Sequence, residues 1–114
     1  MKSTKQIGDL GEKLAEKYLK KEGYEIIEKN FRTRFGEIDI IAIDEDTLVF
    51  VEVKAKRGDR FGDPGEMITP QKIEKIKRTA KHFLTEKDLC DISWRIDAIL
   101  IRKEKIEHIK NLTL

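Results

Sequence analysis

The stretch GEIDIIAIDEDTLVFVEVK, residues 36–54, constrains the fold of this chain more than any other part of the sequence. Residues 38–43 and 47–53 are rich in β-branched and large apolar side chains, and the acidic residues 44–46 between them are typical of a turn. The pattern predicts an antiparallel β-hairpin. Its second strand is apolar on both faces, which indicates a central strand that is covered on both sides.

The register of this hairpin decides where its charged residues lie. Pairing across a short loop brings the charged residues at the end away from the turn onto one face, and a slip by one residue would separate them. The expected pairs are Ile43 with Leu48, Ile41 with Phe50, Asp39 with Glu52, and Glu37 with Lys54.

Two carboxylates and an ammonium group at the end of a buried strand pair suit a metal-dependent site. Asp and Glu oxygens are hard ligands for Mg²⁺, which keeps several waters and is usually held by one or two carboxylates plus substrate phosphate. Such an ion polarises a phosphodiester and activates water, while a lysine stabilises the developing charge. The chemistry that such a site implies is metal-dependent phosphodiester hydrolysis. The alternative is a solvated strand edge with a cross-strand ion pair.

Length and composition limit the number of domains and the classes of protein to which this chain can belong. The 114 residues are enough for one domain, residues 1–114, with a single core. Lysine and arginine number 24 against 22 acidic residues, so the net charge of +2 is not by itself a signature of nucleic-acid binding. The single cysteine excludes an internal disulfide. With no apolar leader or membrane-length run, we expect a cytoplasmic protein without a membrane association.

The remaining elements predict an α/β layer arrangement with a mixed sheet between helices. Thr69 and Pro70 form a clear start for the second helix, as N-cap and first-turn proline. The expected elements are a helix over residues 4–21, a strand over 24–32 with a turn near 29–30, the hairpin, a loop over 55–69, a helix from 70 to about 84, a strand over 92–102 and a short edge strand over 106–109.

Several basic residues are candidates for phosphate contacts, although a solvated surface is the alternative for each of them. His82 and His108 stand alone in the sequence, and we expect both on the surface. The basic candidates are Arg32 and Arg34 before the hairpin, Lys56, Arg57 and Arg60 in the following loop, and Lys72, Lys75, Lys77, Arg78 and Lys81 on the second helix.

Five segments together resemble the YraN-like family of small uncharacterised bacterial proteins, which is similar to archaeal Holliday-junction resolvases. They are GDLGEKLAEKYL at 8–19, NFRTRFGEIDIIAID at 30–44, LVFVEVKAKRGDRFGDP at 48–64, TPQK at 69–72 and RIDAILI at 95–101. This resemblance covers nearly the whole chain. It implies the three-layer fold of the restriction-endonuclease-like, or PD-(D/E)XK, nucleases, with a mixed sheet of about five strands flanked by helices.

The resemblance also implies roles for individual residues. The acidic positions of the nuclease motif map onto Asp39 and Glu52, and its lysine maps onto Lys54. Glu12 is similar to a supporting acid on the first helix, and Gln71 to a polar position on the next helix. The proline of the motif name is absent.

These matches imply a DNA endonuclease in repair or recombination that uses Mg²⁺ or Mn²⁺. Asp39 and Glu52 would hold the metal with the carbonyl of Val53, and Glu37 would assist or replace Asp39. Branched or single-stranded DNA is the expected partner, and a junction substrate favours a homodimer. The alternative function is a non-catalytic module of the same fold that binds nucleic acid or protein.

Overall fold

A computed structural model of the chain describes residues 4–56, 68–103 and 105–112. Over these residues, two helices and five strands follow one another in the order that the sequence predicts. Their bounds are α1 Thr4–Lys21, β1 Glu25–Thr33, β2 Gly36–Asp44, β3 Thr47–Lys56, α2 Pro70–Glu86, β4 Ser93–Arg102 and β5 Lys105–Ile109. Neither helix, over the described residues, is long and apolar enough to cross a membrane.

The five strands form one mixed sheet in the order β1-β2-β3-β4-β5. β3 and β4 are parallel, and the other neighbouring pairs are antiparallel. α2 is the crossover between the two parallel strands, so it runs back along the sheet from the end of β3 to the start of β4. β3 is therefore the central strand, as its apolar pattern indicates.

Each face of the sheet is covered by one helix. Phe50 and Leu48 of β3 are fully buried on the side of α2, where they join Phe83 in one core cluster. Val49 and Val51 belong to a second cluster on the side of α1. The α/β architecture with a five-stranded mixed sheet between helices is thus confirmed.

The register of the β2–β3 hairpin is confirmed near its turn and differs at its open end. Ile43 pairs with Leu48 and Ile41 with Phe50, as expected, but the ladder ends at the pair of Ile40 with residue 51. Beyond this point β2 stays paired with β1 as far as residue 36 and no longer pairs with β3. The two strands diverge at the end where the charged residues lie.

The turn expected near residues 29–30 is wrong. β1 continues through Asn30 to Thr33, and the turn to β2 lies at residues 34–35. Asn30 takes a left-handed backbone conformation within the strand, with φ of 54°. Asparagine tolerates that conformation better than most residues, so the turn-like sequence signal produces a local distortion of the strand.

Close packing fixes α1 on the central strand. A Cβ atom added at Gly11 would lie 2.6 Å from the Cβ of Ala55, so only glycine lets the helix approach β3 this closely. Around Gly8 the described residues, apart from the backbone of α1 itself, place no atom within 4 Å of an added Cβ. The tight contact at Gly11 places the next residue of α1, Glu12, beside the end of β3.

The expectation that His108 lies on the surface is wrong, whereas His82 is exposed as expected. Only 6% of the His108 side chain is exposed, and its Nε2 lies 2.7 Å from Oδ2 of the fully buried Asp97. The Arg95 Nε donates to the same carboxylate at 2.9 Å, and these bonds, with burial opposing them, hold the pKa of Asp97 below its usual range. The network ties β4 to β5, and through Tyr18 to α1.

Candidate active site

Asp39 lies where β2 leaves the central strand. Ile38 and Ile40 belong to different core clusters, although residues two apart in a strand normally share a face. The regular alternation is therefore interrupted at Asp39. Its Oδ2 accepts a hydrogen bond of 2.8 Å from the backbone N–H of Val53, so this side chain replaces the missing backbone pairing and is fixed against β3.

Glu52 and Lys54 lie near the C-terminal end of β3, and their side chains project from the same face as Phe50. The Nζ of Lys54 lies 3.2 Å from Oε1 of Glu52, and the two side chains are only 25% and 15% exposed. The two side chains therefore share one face of β3, as the sequence predicts. Because Asp39 bonds to the residue between them, the three side chains meet at one end of the sheet.

Two further carboxylates border this position, and Asn30 connects them. With its amide nitrogen turned toward the acids, Asn30 donates to Oε1 of Glu12 at 2.9 Å and to Oε1 of Glu37 at 3.2 Å. Glu37 also forms an exposed ion pair of 3.4 Å with Arg32, its neighbour across β1. From here on, the acidic cluster denotes the six residues Glu12, Asn30, Glu37, Asp39, Glu52 and Lys54.

The electrostatics of the acidic cluster show an excess of negative charge. The pKa of Asp39 is raised to about 7, mainly by burial and then by the charge of Glu52. Glu12 and Glu37 raise it by less, and the bond from Val53 acts in the opposite direction. The pKa of Glu12 is also raised, first by burial and then by Glu37. A bound cation would relieve this repulsion.

The donor set of the acidic cluster fits a hard divalent ion that keeps part of its water. Asp39 and Glu52 offer carboxylate oxygens, which Mg²⁺ and Mn²⁺ prefer. Among the described residues no group of three or more His, Cys, Asp or Glu side chains is arranged to enclose a metal by itself. The fit is therefore to a site completed by backbone, water and substrate. The Val53 N–H faces Asp39, and the role of its carbonyl stays a prediction.

The candidate phosphate contacts fall into separate groups. Gln71, Lys72 and Lys75 are exposed on the first turns of α2, next to the N-cap Thr69. Arg34 is exposed in the β1–β2 turn. Arg57 and Arg60 lie outside the described residues, and of Lys56 only its place at the end of β3 is described.

Asn30 is the residue of this site that sequence reasoning missed. Its only signal is an asparagine inside an otherwise strand-like segment, a pattern that predicts a turn. The left-handed conformation of the residue is consistent with that signal. What the sequence does not give is that the distortion faces two glutamates from other elements.

Comparison with known proteins identifies the family. Residues 11–101 match the family described as Uncharacterised protein family UPF0102. A UPF0102 protein of Syntrophomonas wolfei is 45% identical over 112 residues, covering 95% of this chain and 97% of the relative. One of Persephonella marina is 47% identical over 104 residues, covering 91% and 90%. One of Alkaliphilus oremlandii is 44% identical over 114 residues, covering 95% and 97%. With a match of this extent to the family model and to whole relatives, the chain belongs to the UPF0102 family, the YraN-like family that its motifs resemble.

Proposed function

We propose that this protein is a Mg²⁺- or Mn²⁺-dependent DNA endonuclease that hydrolyses phosphodiester bonds in repair or recombination. One observation carries the proposal: the fixed, half-buried Asp39 carboxylate meets Glu52 where β2 and β3 diverge, in a cluster with more acids than cations. A structural ion-pair cluster would balance its charges. An unbalanced cluster of carboxylates is what a divalent cation requires.

The residues of the cluster divide into two roles. Asp39 and Glu52 would hold the metal, with the carbonyl of Val53 as a further ligand, and Glu12 with Glu37 would support them. The bound ion would supply charge neutralisation at the phosphodiester and a lower pKa for the attacking water. Lys54 is fixed beside Glu52 at 3.2 Å, so its ammonium group is available to orient the water or the phosphate.

The hydrogen bond from Val53 preorganises the site. It joins the Asp39 carboxylate to the central strand that also carries Glu52 and Lys54, so the three groups are held at the same end of the sheet. Side chains that are held by strand packing keep their geometry better than side chains on loops. Asn30 adds a second constraint, because one amide bonds both supporting glutamates.

DNA is the substrate class that the charges favour. The exposed cations on the first turns of α2 lie at the end of the helix that follows β3, and a phosphate backbone would pass between them and the acidic cluster. A junction substrate presents two strands for cleavage, so a homodimer remains part of this proposal.

The test is DNA cleavage by Glu52→Gln beside a matched control, Glu45→Gln. Glu45 lies in the exposed β2–β3 turn at the opposite end of the sheet, so the control makes the same charge change away from the site. Flap, junction and single-stranded oligonucleotides are incubated with Mn²⁺ or Mg²⁺. We expect cleavage by the wild type and the control and none by Glu52→Gln with an unchanged circular dichroism spectrum. Cleavage by Glu52→Gln at the wild-type rate would refute the assignment.

The second candidate is a binding module of the same fold without catalysis. The observation that favours it is the basic surface of α2, on which Lys72 and Lys75 have no acidic partner among the described residues. Salt-sensitive DNA binding, with no metal-dependent cleavage of any of the three substrates, would support this candidate over the endonuclease.

A further inference from the structure

A second surface feature lies beside the acidic cluster, between the β1–β2 turn and α2. It is an open cleft of about 440 Å³, large enough to receive a planar group the size of a nucleobase. Its lining residues are Phe35, Arg78, Lys81, His82 and Thr85. From here on it is called the Phe35 cleft.

Close packing of the turn on the helix builds the cleft. A Cβ added at Gly36 would lie 3.4 Å from Oγ1 of Thr79 and 3.9 Å from Cβ of Lys75, so the turn rests directly on α2. Phe35 precedes this contact point and faces the next turns of the helix. Because Glu37 follows it, the Phe35 cleft and the acidic cluster are neighbours along the same short segment.

The cations of the cleft are available to a ligand. Arg78 and Lys81 have no ion pair among the described residues, whereas Lys77 on the same helix is paired with Glu74. Lys75 and Arg78 lie on one stripe of α2 because they are three residues apart. The stripe from residue 75 to residue 85 extends for about 15 Å at 1.5 Å per residue.

Aromatic and planar groups lie beside these cations. The ring of His82 is 6.4 Å from the ring of Phe35, and the same distance from that of the buried Phe31. The guanidinium of Arg34 lies 5.0 Å from the centre of the Phe35 ring. Aromatic rings and guanidinium planes are both surfaces on which unpaired bases stack. The Nε2 of His82 also lies 3.3 Å from Oε2 of the exposed Glu86, one turn further along α2.

We propose that the Phe35 cleft binds an unpaired segment of a DNA strand, with a base stacked at Phe35 and Arg34 and the adjoining phosphates at Arg78 and Lys81. The choice of DNA rests on the proposed function, whereas the choice of an unpaired segment rests on the cleft. In a duplex the bases stack on each other and offer no free face to Phe35. Charges alone would bind a duplex as well, so the aromatic ring beside them carries the distinction.

The cleft gives the proposed nuclease a substrate class. A strand whose unpaired base occupies the cleft would continue past Gly36 toward the acidic cluster, since Glu37 of the cluster directly follows Gly36. DNA that contains single-stranded segments, such as a flap or a splayed junction, would satisfy both sites together. A fully paired duplex would satisfy only the cationic part.

The experiment measures binding in the presence of EDTA, so that it does not depend on cleavage. Fluorescence anisotropy compares a labelled single-stranded oligonucleotide with a duplex of the same length. Phe35→Leu keeps an apolar side chain and removes the ring, and Arg78→Gln with Lys81→Gln removes the charges. The matched control is Lys17→Gln with Lys21→Gln, which removes two exposed lysines from α1 on the other face of the sheet.

We expect Phe35→Leu to weaken single-strand binding roughly tenfold, within the range for loss of one stacked base, and duplex binding less than about twofold. The Arg78 and Lys81 variant should reduce the salt dependence of single-strand binding, the slope of log K against log salt, by about 1.4. The control should change neither property. Thermal unfolding verifies that each variant is folded. If Phe35→Leu does not fold, the variant that lacks the charges of Arg78 and Lys81 still tests the cleft.

Two results would overturn the proposal: single-strand affinity of Phe35→Leu within twofold of the wild type, or a charge variant that behaves like the control. The binding experiment tests the cleft independently of the endonuclease proposal, which the cleavage experiment tests. Loss of single-strand binding in the cleft variants, in a protein that never cleaves, would leave the cleft established and refute only the catalytic proposal. Glu52-dependent cleavage, with unchanged single-strand binding in the cleft variants, would support the endonuclease and refute only the cleft proposal.

Discussion

Replacing Asp39 with asparagine should stabilise the metal-free protein at alkaline pH. The carboxylate is fixed by Val53 in a position where burial and the charge of Glu52 oppose its ionisation. Asparagine keeps an oxygen that accepts the bond from Val53 and removes the charge. A mutation in the proposed metal site would thus improve the fold while it abolishes the function.

The sign and size of the effect of Asp39→Asn on the free energy of unfolding follow from proton linkage. An aspartate in the unfolded chain titrates at about 3.9, whereas burial raises the pKa of Asp39 to about 7 in the folded protein. At Asp39 the folded state therefore binds more protons between these values, and the contribution of Asp39 to wild-type stability falls as pH rises from about 4 to about 7 and is constant above. The whole interval corresponds to roughly 4 kcal/mol, of which about 2–3 kcal/mol is lost between pH 5 and pH 8.

The assay is urea denaturation of the wild type and Asp39→Asn at both pH values in EDTA. The stability of the variant relative to the wild type should increase by about 2–3 kcal/mol from pH 5 to pH 8. Asp46→Asn, an exposed change in the β2–β3 turn, is the matched control and should show no such increase. A difference between Asp39→Asn and wild type that is the same at both pH values would refute the reasoning.

Two further predictions concern the packing that positions the site. Gly11→Ala should destabilise the protein by about 1–3 kcal/mol in urea denaturation, because its Cβ would overlap that of Ala55, whereas Gly8→Ala should stabilise it by up to about 1 kcal/mol. Equal effects of the two would contradict the proposed close contact. Asp97→Asn should cost roughly 1–3 kcal/mol at neutral pH, because the buried carboxylate loses its charge-assisted bonds with Arg95 and His108, while Arg95 keeps its ion pair with Asp44. A loss below about 1 kcal/mol would show that the network is not a structural link.

The parts of the fold that the sequence predicts well are those governed by alternation and turn chemistry. The apolar pairs near the β2–β3 turn fix the register, because a slip by one residue would expose residues such as Phe50 that the structure buries. The same alternation puts Glu52 and Lys54 together. Thr69 caps α2 as expected, with its hydroxyl accepting from the N–H of Lys72.

The parts that the sequence could not give depend on contacts between distant elements. Asp97 alternates with apolar residues in β4, a pattern that is typical of a solvated strand position. In the structure its side chain is fully buried, and its partner His108 comes from another strand, β5. The divergence of β2 from β3 also has no local signal. A count along an ideal hairpin pairs Asp39 with Glu52, whereas the side chain of Asp39 bonds to the next backbone N–H instead.

The most direct test of the account is a calorimetric titration of the wild type with Mn²⁺ beside Asp39→Asn, Glu52→Gln and the control Glu45→Gln. We expect saturable binding to the wild type and the control, and none to the two site variants, because each removes a ligand from a set that has few of them. The titration is repeated with a DNA oligonucleotide present, so that substrate phosphate can complete the site. The same heat from the wild type and Glu52→Gln, or no binding to the wild type in either titration, would contradict a metal site in the acidic cluster.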